Sequence, residues 1–166
     1  MNKQTLLILN GPGVANAVDR PGDATLEQIR QACVSSCKAL GMKLDFRHTD
    51  EAGELLSLVA KASATTSAVK SYAGLIINPA SGPKAKSIDA ASYQAALERA
   101  ATAQLPIIEV HIENIFDDSV ENADAARRLQ ASAAGIGFIS GLGESGYQLA
   151  IKALHHRLSS GDGAHG

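Results

Sequence analysis

One segment constrains the fold more than any other: residues 105–114, LPIIEVHIEN, an apolar run that turns polar where a strand should end. Ile107, Ile108, Val110 and Ile112 are β-branched, and so continuous a run fits a strand buried on both faces, as in a parallel sheet covered by helices. Two titratable residues interrupt it. Glu109 and His111 stand two apart, so on a strand their side chains leave the same face, and the carboxylate can orient or charge the imidazole. The same spacing also describes an exposed histidine at a strand terminus beside a solvated glutamate, and the pair alone does not separate these readings.

Other runs share this form and this kind of ending. Residues 5–9 (TLLIL) run into Asn10-Gly11-Pro12-Gly13, residues 73–78 end at Pro79, and residues 135–140 (GIGFIS) end at Gly141. Between them the periodicity is helical. Thr25 and Gln28 make a capping-box pattern, and Leu26, Ile29, Cys33, Cys37 and Leu40 recur on one face until Gly41. Met42, Leu44 and Phe46 alternate with Lys43 and Asp45, which predicts a half-exposed strand near a sheet edge. Residues 50–61 open with acidic side chains suited to a helix start and carry Leu55, Leu56 and Val59 as an apolar stripe. An alanine-rich helix is expected over 87–103, a short one over 125–129, and a last one marked by Tyr147, Ile151, Leu154 and Leu158. The alternation predicts an α/β fold: a five-stranded parallel sheet with helices on both faces, one domain over residues 1–158 and a flexible tail at 159–166.

In such sheets ligands bind beyond the carboxyl ends of the strands. Four polar loops converge there, residues 10–23, 78–86, 111–114 and 141–145. Asn10, Asn78 and Asn114 stand at expected strand ends, where an amide can both donate to and accept from a polyhydroxylated ligand. Asparagine also favours such turns for its own sake.

Composition removes several function classes. Lysine and arginine number 15 against 17 aspartates and glutamates, with no basic cluster, so nucleic acid is not an expected partner. No apolar segment approaches the roughly 20 residues that span a bilayer, and residues 1–13 lack a signal peptide's apolar core, so the expectation is a cytoplasmic protein with no membrane partner. Cys33 and Cys37 lie four apart on one helix face and read as packing thiols, not as a disulfide or part of a zinc set. Residues 141–146 spell GxGxxG, but in the last βα unit, with no following strand and no acidic residue placed to hold a ribose. A dinucleotide is therefore not expected, although a helix start there could seat a small anion. No other motif calls for a cofactor or a metal.

The ordered pieces LILNGP (7–12), TLEQI (25–29), HTDEAGELL (48–56), LIINP (75–79), PIIEVHIEN (106–114) and GLGESGYQLAI (141–151) resemble the type II dehydroquinases, the flavodoxin-like 3-dehydroquinate dehydratases. The resemblance spans nearly the whole chain. It implies a flavodoxin-like three-layer sandwich, assembly into trimers grouped as a dodecamer, and anti elimination of water from a small acidic cyclic hydroxyketo acid of shikimate or quinate metabolism, without metal or nucleotide. In that chemistry a tyrosinate, activated by an arginine, takes the carbon-bound proton and a histidine protonates the departing hydroxyl. Carried onto this chain, His111 is the general acid, Glu109 its partner, Arg20 the counterpart of the loop arginine, and Asn78 a substrate-binding amide. Asn10, Ile112, Glu113 and Asn114 are the further expected ligand contacts.

The departures are specific. The family's GPN is Gly11-Pro12-Gly13 here, and no tyrosine lies between Met1 and His48. Its HTS segment is replaced by residues 84–87, the serine of its EVHxSN motif is Glu113, and its later arginine has no clear match. Weak or altered dehydratase activity is therefore expected. Without that loop tyrosine, proton abstraction is expected of Asp19, Asp23 or a tyrosine from elsewhere, such as Tyr72 or Tyr93; a non-catalytic homologue, or another lyase using Asp19 or Asp23 as base, are the alternatives, because fold alone does not settle function.

Overall fold

Parallel strands joined by helices must be covered on both faces, and the apolar runs of this chain are buried accordingly. The computed structural model describes residues 3–17, 24–63, 72–130 and 135–164. Strands β1 (Thr5–Asn10), β2 (Lys43–His48), β3 (Gly74–Asn78), β4 (Ile107–His111) and β5 (Gly137–Ser140) form one sheet in the order β2-β1-β3-β4-β5. Every pairing is parallel. This is the expected α/β architecture, and β2 takes an edge position, as its alternating sequence predicts. The helices are α1 (Val14–Ala17), α2 (Leu26–Ala39), α3 (Ala52–Ser63), α4 (Ala90–Thr102), α5 (Ala123–Leu129) and α6 (Ser145–Ala164).

Alternation along the strands divides the core in two. Leu7, Leu9, Leu75, Ile77 and Ile107 pack with Leu55 and Val59 of α3, Tyr93 and Leu97 of α4, and Leu129 of α5. Leu6, Ile8, Ile76, Ile108 and Val110 pack with Ile29, Cys33 and Cys37 of α2 and with Tyr147, Ile151 and Leu154 of α6. By the same alternation Glu109 and His111 fall on the α4 face, while Asn10 and Asn78 fall on the α6 face. Both cysteines are free and buried. The Thr25 capping box closes α2, with Gln28 N–H donating to Thr25 Oγ1 and Thr25 N–H to the Gln28 side chain.

Several boundaries differ from expectation. The helix expected over 87–103 is split: Gly82–Ser87 makes a 3-10 turn, Ile88 is extended (φ −93°, ψ 128°), and α4 starts at Ala90 behind an Asp89 cap that accepts from Ser92 N–H. Ile88 is buried, so it anchors this break in the core. Strand β4 stops at His111, since the Ile112 carbonyl accepts from Gly143 N–H instead of a strand neighbour. Short α1 occupies part of the first expected loop, and α6 continues to Ala164, into the segment expected as a tail. Among the described residues no helix is long and apolar enough to cross a membrane.

Candidate active site

At the carboxyl edge of the sheet, two buried polar systems approach each other from its opposite faces. On the α4 face, Glu109 is fully buried and His111 is 3% exposed, which excludes the solvated reading of the pair. His111 Nε2 lies 2.9 Å from Glu109 Oε2, and the Tyr93 hydroxyl donates to Glu109 Oε1 at 2.6 Å. The Phe138 ring lies 5.5 Å from the imidazole, centre to centre. Burial first, and then the neighbouring Glu109, hold the Tyr93 hydroxyl protonated well above the usual phenol range.

On the α6 face, Asn10 Nδ2 donates to the Arg47 carbonyl (3.1 Å), the Tyr147 hydroxyl donates to Asn10 Oδ1 (2.7 Å), and Asn78 Nδ2 donates to the Tyr147 oxygen (3.0 Å). Each step fixes the next. The backbone carbonyl demands a donor, so Asn10 presents its oxygen to Tyr147; the single tyrosine proton goes there, and Asn78 must turn its NH2 inward. Asn78 Oδ1 is left buried without a partner, the one such side-chain atom among the described residues. An orphaned buried acceptor is costly, and Asn78 is one of the residues that line a small recess at this edge.

That recess, about 20 Å³, is lined by Asn78, His111, Ile112 and Glu113 among others, and has room for about one water-sized group. Ser81, Gly82, Glu113, Val120, Glu121 and Asn122 line both it and an adjoining cavity of about 540 Å³, within the usual range for small-molecule sites. Gly13 and Lys84 form part of the outer wall. Asp50 braces this wall: its carboxylate accepts from Gly13 N–H (3.1 Å) and lies 3.6 Å from Lys84 Nζ and 3.5 Å from His48 Nε2. The Gly13 hydrogen bond, aided by Lys84 and His48, holds that carboxyl below its ordinary range.

Of the residues singled out in the sequence, His111, Asn78, Ile112 and Glu113 line this recess, and Glu109 stands behind His111, fully buried. Asn10 lies one layer behind, with both ends of its amide engaged. Asn114 lines neither cavity; its Oδ1 accepts from Phe116 N–H, and Gly141 packs on its Cβ. Arg20, Asp19 and Asp23 lie outside the described residues. At the glycine-rich turn, the Gly141 and Gly143 amides donate to the His111 and Ile112 carbonyls, so neither awaits an anion.

Tyr93, one of the stand-in bases that the sequence offers, instead donates to Glu109, and sequence reasoning missed both this bond and the hydroxyl of Tyr147. The available signal was chemical: a buried tyrosine needs a partner for its hydroxyl, and the chain has three tyrosines. The third, Tyr72, donates to Asp45, which also pairs with Arg47. None of the three lines either cavity.

A parallel α/β sandwich with a buried acid–base pair and a polar recess at its carboxyl edge defines a small-molecule site of the doubly wound class. Within that class the chain belongs to the class II dehydroquinase family, whose family model matches residues 4–155. It is 32% identical over 166 residues to the 3-dehydroquinate dehydratase of Nitrobacter winogradskyi, covering 96% of this chain and 94% of that protein. Identity is 30% over 162 residues with 3-dehydroquinate dehydratase 2 of Pseudomonas aeruginosa, covering 95% and 97% respectively. The crystal structure of a type II dehydroquinase from Propionibacterium acnes is similar with a TM-score of 0.69 and 26% identity, over 93% of this chain and 97% of that one.

Proposed function

We propose that this chain is a dehydroquinase-like hydro-lyase that eliminates water from a small acidic cyclic hydroxyketo acid. The observation that carries this reading is the buried Glu109–His111 pair beside the unpartnered Asn78 oxygen, in a chain of the class II dehydroquinase family. A base removes the proton on the carbon next to the ketone, and its electron pair forms an enolate. The enolate then expels the hydroxyl on the opposite ring face as His111 gives it a proton, and water leaves. Glu109 balances the charge on His111, and Asn78 Oδ1 accepts from a ring hydroxyl.

Tyr72, Tyr93 and Tyr147 are all engaged elsewhere, so the base role falls to Asp19 or Asp23, with Arg20 beside them in sequence. A misfitted base typically lowers rates by about 10² to 10⁴. Turnover is therefore expected below the ordinary range of roughly 1 to 10³ per second. The test is a dehydration assay on purified protein beside a titration with a non-reacting ring analogue. His111→Ala should abolish turnover without unfolding the chain, and only one of Asp19→Asn and Asp23→Asn should abolish it while sparing binding. Neither turnover nor analogue binding in the unmodified protein would refute the reading. Binding without turnover would identify a ligand-binding homologue.

The same reading includes a cytoplasmic setting and a homo-oligomer built from trimers, with a dodecamer as the full assembly. Exposed Phe116 and Leu142, beside edge strand β5, supply apolar area for such contacts. Light scattering should report the oligomer, and a monomer would overturn that part.

A further inference from the structure

We infer that Arg127 is a positioning residue for the ligand site: together with Ser140 it clamps the backbone of Ile115 and so preforms the wall that the loop after β4 gives to both cavities. Between His111, where β4 ends, and Ala123, where α5 begins, no helix or strand satisfies the backbone. Its N–H and C=O groups must then find partners elsewhere. The His111 and Ile112 carbonyls accept from the Gly141 and Gly143 amides. At Glu113 and Ile115 the partners are side chains. The Ser140 hydroxyl donates to the Glu113 carbonyl (3.1 Å) and accepts from Ile115 N–H (3.1 Å), while Arg127 Nη1 donates to the Ile115 carbonyl at 2.8 Å.

Both backbone groups of Ile115 are thus held by side chains from two different elements, β5 and α5, and its own side chain is buried. The residues on either side of it make the wall: Glu113, Val120, Glu121 and Asn122 line both the recess and the outer cavity. Arg127 and Ser140 line neither, so their effect on a ligand passes through the loop. Arg127 Nη1 also lies 2.9 Å from Asp118 Oδ1, but Asp118 is 89% exposed, and such a pair contributes little. The contact with the Ile115 carbonyl is partly buried and charge-assisted, and it is the stronger of the two. A wall held in this way is ordered before a ligand arrives, so binding does not bear the cost of ordering it.

The effect on the ligand rests on the function proposed above, whereas the effect on the loop does not, and the two can be read separately. Hydrogen exchange followed by NMR reads the loop. Arg127→Met keeps an apolar stem and removes the donors, and the Ile115 amide should then exchange at least about tenfold faster, although its own acceptor, Ser140, is untouched. Amides within β1 and β3 should quicken by less, since a merely general loss of stability raises every slow amide alike. Asp118→Asn should leave the Ile115 amide unchanged.

Titration with a non-reacting ring acid, trihydroxycyclohexane carboxylate, reads the site. Its affinity per folded molecule should fall at least about fivefold in Arg127→Met and in Ser140→Ala. The double variant should lose less than the product of the two, because both changes release the same residue. In dehydration KM should rise while kcat holds, since Glu109 and His111 stand on β4 and not on the loop. An Ile115 amide quickened no more than those of β1 and β3 would overturn the inference. So would unchanged affinity in both single variants, or a fall in kcat with KM unchanged. If Arg127→Met does not fold, Arg127→Gln, whose shorter side chain stops short of the Ile115 carbonyl, decides by the same readings. Absence of both analogue binding and dehydration in the unmodified protein counts against the proposed function, and the Ile115 amide then decides the role of Arg127 unaided.

Discussion

The orientation of the Asn78 amide is fixed by a choice made two side chains away. The Arg47 carbonyl sets the Asn10 amide, Asn10 sets the Tyr147 hydroxyl, and Tyr147 sets Asn78. Tyr147→Phe keeps the ring but leaves Asn10 Oδ1 and Asn78 Nδ2 buried without partners. Each such group costs about 1–3 kcal/mol, so urea unfolding should show a loss of about 2–6 kcal/mol, together with weaker preference for a ring hydroxyl over its deoxy analogue. A loss below about 1 kcal/mol would show that the hydroxyl is dispensable to the network. Glu109 and His111 were legible from spacing, since a two-residue interval on a strand fixes a common face. The tyrosines were not. The Tyr93 bond to Glu109 spans 16 residues and the Tyr147 bond to Asn10 spans 137, so each depends on how a helix lies on the sheet, which one-dimensional periodicity does not contain.

Among elements, the loops after β1 and β3 fit together with no space for a side chain between them. Gly11 N–H donates to the Asn78 carbonyl, and a Cβ on Gly11 would stand 1.9 Å from the Pro79 oxygen. Gly11→Ala must therefore push the Asn78 turn away from the recess, with an expected loss of at least about 2 kcal/mol and loss of analogue binding. Gly53→Ala is the control. It sits in α3, where an added methyl would meet nothing within 4 Å, and should be neutral or stabilise by up to about 1 kcal/mol. Equal effects at the two positions would contradict the packing account. Strands were the legible elements, because runs such as LLIL and LIIN suit burial on both faces. The break before α4 was less so: Asp89, three residues before Ser92, carries the cap signal, but a buried Ile88 in extended backbone is set by the core and not by local propensity.

For the whole molecule, the two thiols beneath Tyr147 make stability depend on alkaline pH. Burial raises Cys33 from 9.0 to about 12, with the neighbouring Cys37 adding to it, and burial raises Cys37 from 9.0 to about 11. The folded state thus holds protons that the unfolded chain releases first. Their contribution is fully present below pH 9.0 and is lost as pH rises toward about 11 to 12. Urea midpoints should fall across that window, and Cys33→Ala with Cys37→Ala should flatten the fall while lowering stability at neutral pH; an unchanged slope would refute the linkage. The same helix pair has a consequence for synthesis. Asn10 and Tyr147 are 137 residues apart, so at about 5–20 residues per second β1 waits roughly 7–27 s for its partner to be made. Through that interval Leu6, Ile8 and Ile76 have no α6 to cover them, so a nascent chain shows an oily sheet face to the ribosome surface and to any holdase nearby. The Asn78 amide acquires its orientation only when that face closes, one of the final events in the birth of each molecule.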